Sequence, residues 1–230
     1  MTKKDLFKMT TTLMTIVAGI FGAFQVASWK SNRDAEYLEN NLISVMTPQE
    51  KKFNTEYCQI PNLVHGLHED FSSIPFASFY FGGAYDEFEK SIYITPRIFR
   101  SQGEFRQILN HELGHFYSHQ VMEEFGIANQ FDYVGNLGHK LISEGISEYF
   151  EKTLAGGKTR DKFEFPKNPQ KLALPEQYKI GFYLVKPILD RDTKKGIECL
   201  LKNFPEEKDL GNLQDYQKRI LKKLSHEGCK

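Results

Sequence analysis

Between residues 102 and 126 the apolar positions recur at helical spacing: Phe105, Ile108, Leu109, Leu113, Phe116 and Phe125. With about 3.6 residues per turn the first five share one face, and all six are expected to point into a core. Ser101 followed by Glu104 reads as a capping box at the start, and Gly126 reads as a stop after Phe125. Ahead of this helix the pattern changes. The aromatic run Phe76-Ala77-Ser78-Phe79-Tyr80-Phe81 is broken by Gly82-Gly83 and resumed by Ser91-Ile92-Tyr93-Ile94-Thr95, which predicts two strands of a small sheet. Behind it, helical spacing returns from Glu176 with Phe182, Leu184, Val185 and Ile188. Two closing helices follow, Gly196 to Phe204 and Leu213 to Leu224, with Pro205 between them.

The N-terminal pattern is of another kind. After Lys3, Lys4 and Lys8 no charge occurs until Lys30, and Met9 to Trp29 is largely apolar. About 20 apolar residues span a bilayer as a helix, so residues 1–30 are expected to be an uncleaved signal anchor. Val26-Ala27-Ser28 offers a cleavage site for the alternative, a removed signal peptide. The lysines before the span outnumber Lys30 and Arg33 after it, which leaves the N-terminus cytoplasmic and the rest of the chain outside. Residues 31–74 are polar, with helical spacing at Tyr37, Leu38, Leu42 and Val45 and a helix start after Thr47 at Pro48. They are expected to form a juxtamembrane helical region ahead of a domain at 75–230.

Composition narrows the classes further. The 230 residues are 40% hydrophobic and 26% charged, enough for a sizeable core. Thirty basic residues balance thirty acidic ones, so no basic footprint for nucleic acid is present. Cys58, Cys199 and Cys229 lack metal-binding spacing; whether two of them pair stays open.

The chemistry centres on His111-Glu112-Leu113-Gly114-His115. Histidines four apart on a helix leave the same face and can hold one metal ion, and a catalytic zinc site keeps a position open for water. Glu112, turned about 100° from His111, is placed beside that water as general base. His119 extends the stripe, but lies about 6 Å further along the axis and is read as a non-ligand. His139 is read as a loop residue. A carboxylate from a second helix would complete a His₂Glu site, and Leu141 to Glu151 contains three.

Leu141-Ile142-Ser143-Glu144-Gly145-Ile146-Ser147-Glu148-Tyr149 resembles the second zinc-site helix of the gluzincin metallopeptidases, most closely the aminopeptidase-N-like branch. The resemblance implies Glu144 as third zinc ligand and Glu148 as the carboxylate that steadies a ligating histidine through its other ring nitrogen. It departs from the family in length: 28 residues, Phe116 to Ser143, separate the two motifs, implying a loop inserted around Asn129 to Gly138. Tyr178-Lys179-Ile180-Gly181 is similar to the family's Tyr-x-x-Gly, which implies Tyr178 as oxyanion donor, with Tyr183 as its competitor. Gly82-Gly83-Ala84-Tyr85-Asp86 occupies the region where those aminopeptidases read a free amino terminus with a glutamate. No glutamate matches, which favours an endopeptidase.

The expectation is therefore an α+β, zincin-like chain. A small mixed sheet precedes an active-site helix, the C-terminal half is mostly helical, and an N-terminal helix ties it to the membrane. It would bind Zn²⁺ through His111, His115 and Glu144 and hydrolyse a peptide or protein substrate with Glu112 and Tyr178. A hydrolase of a non-peptide amide would use the same ligands. A catalytically silent zinc module acting as a membrane-tethered scaffold is the reading from another class.

Overall fold

The computed structural model describes residues 62–65, 82–94, 102–127, 136–154, 163–226 and 229. The expected anchor, the arm around Tyr37 to Val45, the helix after Thr47, the run Phe76 to Phe81, Ser101 and Cys58 lie outside these residues. Among the described residues no helix is long and apolar enough to cross a membrane.

Three short strands come first: β1 (Asn62–His65), β2 (Gly83–Asp86) and β3 (Ser91–Ile94). Their order is β1-β3-β2, with β3 parallel to β1 and antiparallel to β2, so that Leu63 and Tyr85 both stand opposite Ile92. Ile92 and Ile94 of the central strand are fully buried. Two expectations are corrected here. Gly82-Gly83 does not interrupt the sheet, because Gly83 opens β2. The reversal lies at Glu87 to Lys90, where the Asp86 carboxylate accepts the N–H groups of Phe88 and Glu89, and Lys90 takes a left-handed φ of 51°. A side chain thus builds the turn that glycine or proline would otherwise announce. Asn62–His65, inside the stretch expected to be helical, is a strand because β3 pairs with it, a non-local contact that four residues cannot advertise.

Helices α1 (Gln102–Phe125), α2 (Leu137–Leu154), α3 (Leu174–Leu189), α4 (Thr193–Lys202), the single turn α5 (Glu207–Leu210) and α6 (Leu213–His226) follow. The C-terminus of α1 is a Schellman cap: Ile127 N–H donates to Met122 C=O, Gly126 N–H donates to Glu123 C=O, and Gly126 sits at φ 59°. Phe105, Leu109, Leu113 and Phe116 are buried as expected from their spacing. Phe125 is not; it is 37% exposed at the last turn, with the Lys194 and Lys202 ammonium groups over its ring at 5.9 and 5.4 Å. The helix outruns the core there.

Three close backbone approaches assemble the helices. A β-carbon on Gly114 of α1 would stand 2.5 Å from Ser147 Cα of α2. One on Gly145 of α2 would stand 2.5 Å from the Gly181 carbonyl of α3. One on Gly138, at the start of α2, would stand 2.0 Å from the Pro205 carbonyl oxygen, so α2 touches α1, α3 and the loop after α4 through its smallest residues. Leu141, Ile142, Ile146 and Phe150 fill the remaining space.

Pro187 lies inside α3 and cannot donate to Tyr183 C=O. Gln217 of α6 supplies the missing donor, its Nε2 reaching the Tyr183 and Leu184 carbonyls at 2.8 Å each. Asp192 caps α4 by accepting Lys195 N–H, which starts that helix earlier than its apolar pattern does. Arg219 of α6 grips Asp209 of α5 with two bonds of 3.0 and 2.9 Å. Cys199 of α4 and Cys229 are disulfide-bonded, with Cα atoms 4.8 Å apart.

Candidate metal centre

The site lies where α1, α2, α3 and β2 meet. His111 and His115 leave α1 one turn apart, their ring centroids 5.2 Å from each other and their planes at 74°. Because Gly114 between them has no side chain, α2 comes close enough for Glu144 to face both rings. Glu144 Oε2 stands 3.3 Å from His111 Nε2 and 3.9 Å from His115 Nε2, and the three donor atoms all lie within 4.8 Å of one another. Ligands bonded to one tetrahedral zinc at 2.0–2.2 Å sit about 3.3–3.6 Å apart. Two imidazoles and one carboxylate so placed could hold a metal ion, the His111–Glu144 separation matching that range and the others slightly wider.

Each histidine is also held from behind. Ser143 Oγ lies 3.2 Å from His115 Nδ1, and Glu151 Oε2 lies 3.3 Å from His111 Nδ1. Glu148 was expected in that second place, but its carboxylate is hydrogen-bonded to Lys152. Positions 144, 148 and 151 lie within about 60° of one another on α2, and it is the Glu151 oxygen that reaches His111 Nδ1. Sequence reading missed Glu151, although its seven-residue spacing from Glu144 was visible. A second cluster, His111 with Glu148 and Glu151, also brings ligand atoms within 4.8 Å, but shares His111 with the first.

The charges respond to this crowding. Burial opposes a charge on His111, yet its hydrogen bonds to Glu144 and Glu151 outweigh burial and push its pKa up to about 10. Burial dominates at His115 and brings it down to about 4. Burial also works against ionised Glu144, but the His111 hydrogen bond and the field of both histidines hold it below the usual carboxylate range. His111 and Glu144 therefore form an ion pair near neutral pH.

Glu112 is 7% exposed and lies against the sheet. The Tyr85 N–H of β2 donates to its carboxylate, and a β-carbon on Gly83 would stand 3.1 Å from Glu112 Cγ. Gly83 is what lets the strand approach. Burial raises Glu112 to about 7, with His111 pulling against it and Glu144 and Glu151 adding to it. Among the described residues β2 is an edge strand.

Tyr178 comes from α3. The Gly145–Gly181 contact sets that helix against α2, so Tyr178, one turn before Gly181, lies with its ring 6.4 Å from that of His111. Burial, then the charges of Glu144, Glu112 and Glu148, push its hydroxyl up to about 12, which keeps it protonated at neutral pH. Tyr183 is elsewhere, stacked on Phe163 at 4.3 Å. His119 is taken by Tyr85, whose hydroxyl shares a 2.7 Å hydrogen bond with His119 Nδ1. His139, expected in a loop, lies in the first turn of α2 and stacks on Phe204 at 3.8 Å.

In comparisons with protein-family models, curated proteins and solved structures, none matches the chain.

Proposed function

We propose that the chain is a zinc-dependent metallopeptidase of gluzincin type, an endopeptidase in preference to an aminopeptidase. The observation that carries this reading is the convergence of His111 Nε2, His115 Nε2 and Glu144 Oε2 at separations suited to one ion, with Glu112 adjoining them in sequence and a tyrosine hydroxyl kept protonated nearby. His111, His115 and Glu144 would hold the zinc ion, which would supply Lewis acidity toward a water and a scissile carbonyl. Glu112, near neutrality in its pKa, takes a proton from the attacking water and delivers it to the leaving amine. Tyr178 donates to the oxygen on which negative charge develops. Glu151 and Ser143 keep the two imidazoles oriented for the ion. An extended peptide can lie along β2, beside Glu112.

The order of elements, a mixed sheet before α1 and helices after it, supports a zincin-like α+β architecture. The Cys199–Cys229 disulfide supports a location outside the cytoplasm, since such bonds persist in oxidising compartments.

Zinc content of the purified protein decides the metal, and cleavage of a peptide library decides the chemistry. One zinc per chain, largely lost in Glu144→Ala, with library cleavage abolished in Glu112→Gln, is the expected result. A wild type that takes up no supplied zinc overturns the reading. Zinc uptake without cleavage, and cellular function unchanged in Glu112→Gln, leaves the silent zinc module instead.

A further inference from the structure

Lys140 stands one turn before Glu144 on the same face of α2. Its placement is unfavourable locally: a cation in the first turns of a helix opposes the dipole, and lysine four residues ahead of glutamate is the poorer order for an ion pair. The other charges of this face have partners. Glu144 faces His111 and His115, Glu151 faces His111, and Glu148 is bonded to Lys152. Among the described residues Lys140 forms no ion pair; its ammonium lies over the Tyr178 ring, 5.9 Å from the centroid, and its field reaches Glu144 from beyond ion-pair distance. Tyr178 in turn lies against His111. A cation with no ion pair among the described residues thus stands beside the candidate metal centre, one aromatic ring from His111.

We infer that Lys140 anchors a carboxylate of the substrate, so that the site selects peptides carrying an acidic group within a few residues of the scissile bond. The inference rests on the peptidase reading and adds the substrate class to it. An extended chain advances about 3.3–3.6 Å per residue, so a carboxylate a few residues from a carbonyl at the metal is within range of the ammonium. The Tyr178 face steadies the lysine stem without neutralising its charge. Two sources offer this chemistry: the terminal carboxylate of a short peptide, or an aspartate or glutamate side chain within a longer one.

The test uses four short peptide hydroxamates on the zinc-loaded protein, pairing a free or amidated terminus with an aspartate or asparagine side chain. Calorimetry gives each affinity without requiring turnover. Wild type is expected to favour one acid over its neutral partner by about tenfold, and the arm that shows it names the source. In Lys140→Met, which keeps the apolar stem, the ratio falls to about one, and in Lys140→Glu it inverts. Equal binding of all four by wild type, or a preference that persists in Lys140→Met, overturns the inference while leaving the zinc reading intact. Zinc uptake is measured on the same samples; a wild type that binds none overturns both.

Discussion

Gly145 of α2 and Gly181 of α3 meet backbone to backbone: a β-carbon on Gly181 would stand 2.3 Å from the Leu141 carbonyl oxygen and 2.9 Å from Gly145 Cα. The contact sets how α3 lies on α2, and therefore where Tyr178 stands relative to Glu144. Gly181→Ala is expected to gain up to about 1 kcal/mol of helix propensity but to lose more through overpacking, for a net destabilisation of about 1–3 kcal/mol. Urea denaturation checks this. Because α3 must shift, peptide cleavage should fall further than the folded fraction does.

The tyrosine itself can be tested apart from its helix. Tyr178→Phe keeps the ring beside His111 and removes the donor. Turnover is expected to drop by about 10²–10³ with KM little changed, the pattern of an interaction made in the transition state. Equal loss in Tyr183→Phe would move the role to the other tyrosine.

Glu151→Gln removes the carboxylate behind His111 Nδ1. Zinc affinity, measured by competition with a chelator, is expected to fall about 10–100-fold. Glu148→Gln breaks a pair with Lys152 rather than a bond to an imidazole, and should change affinity much less.

Zinc uptake should be coupled to proton release. In the metal-free protein His111 is charged up to a pKa of about 10, above its ordinary 6.5, so its ion pair with Glu144 stabilises the fold fully below pH about 6.5 and is lost as pH rises through about 10. A metal needs the neutral imidazole. At pH 8 about one proton is therefore expected to leave per zinc bound, and affinity should rise with pH until about 10. Calorimetry in buffers of different ionisation enthalpy reads the proton count directly. His115, already brought down to about 4, adds no proton there.

The local half of the site could be read from the chain because it obeys helix geometry. His111 and His115 share a face by their spacing alone, and Gly126 ends α1 because it tolerates the left-handed φ that a Schellman cap requires. The expectation misplaced Phe125, which about 100° per residue puts on the far side of α1 from Phe105, at the end of the helix where it is 37% exposed. It also missed β1, whose partner is a distant segment, and the turn at Asp86, which uses a side chain where glycine was sought.

What the sequence determined by itself is the set of candidate ligand types, their spacing on α1 and α2, and the glutamate next to the first histidine that we propose as general base, all of which are local properties of a helix. Only the tertiary structure decided that Gly114 lets Glu144 face both imidazoles, that Glu151 rather than Glu148 stands behind His111, that His119 is engaged by Tyr85, and that Gly145 and Gly181 bring Tyr178 to the site. These depend on how closely one backbone approaches another, and that distance is set by close packing between segments far apart in the chain, where no residue's neighbours in sequence carry the information.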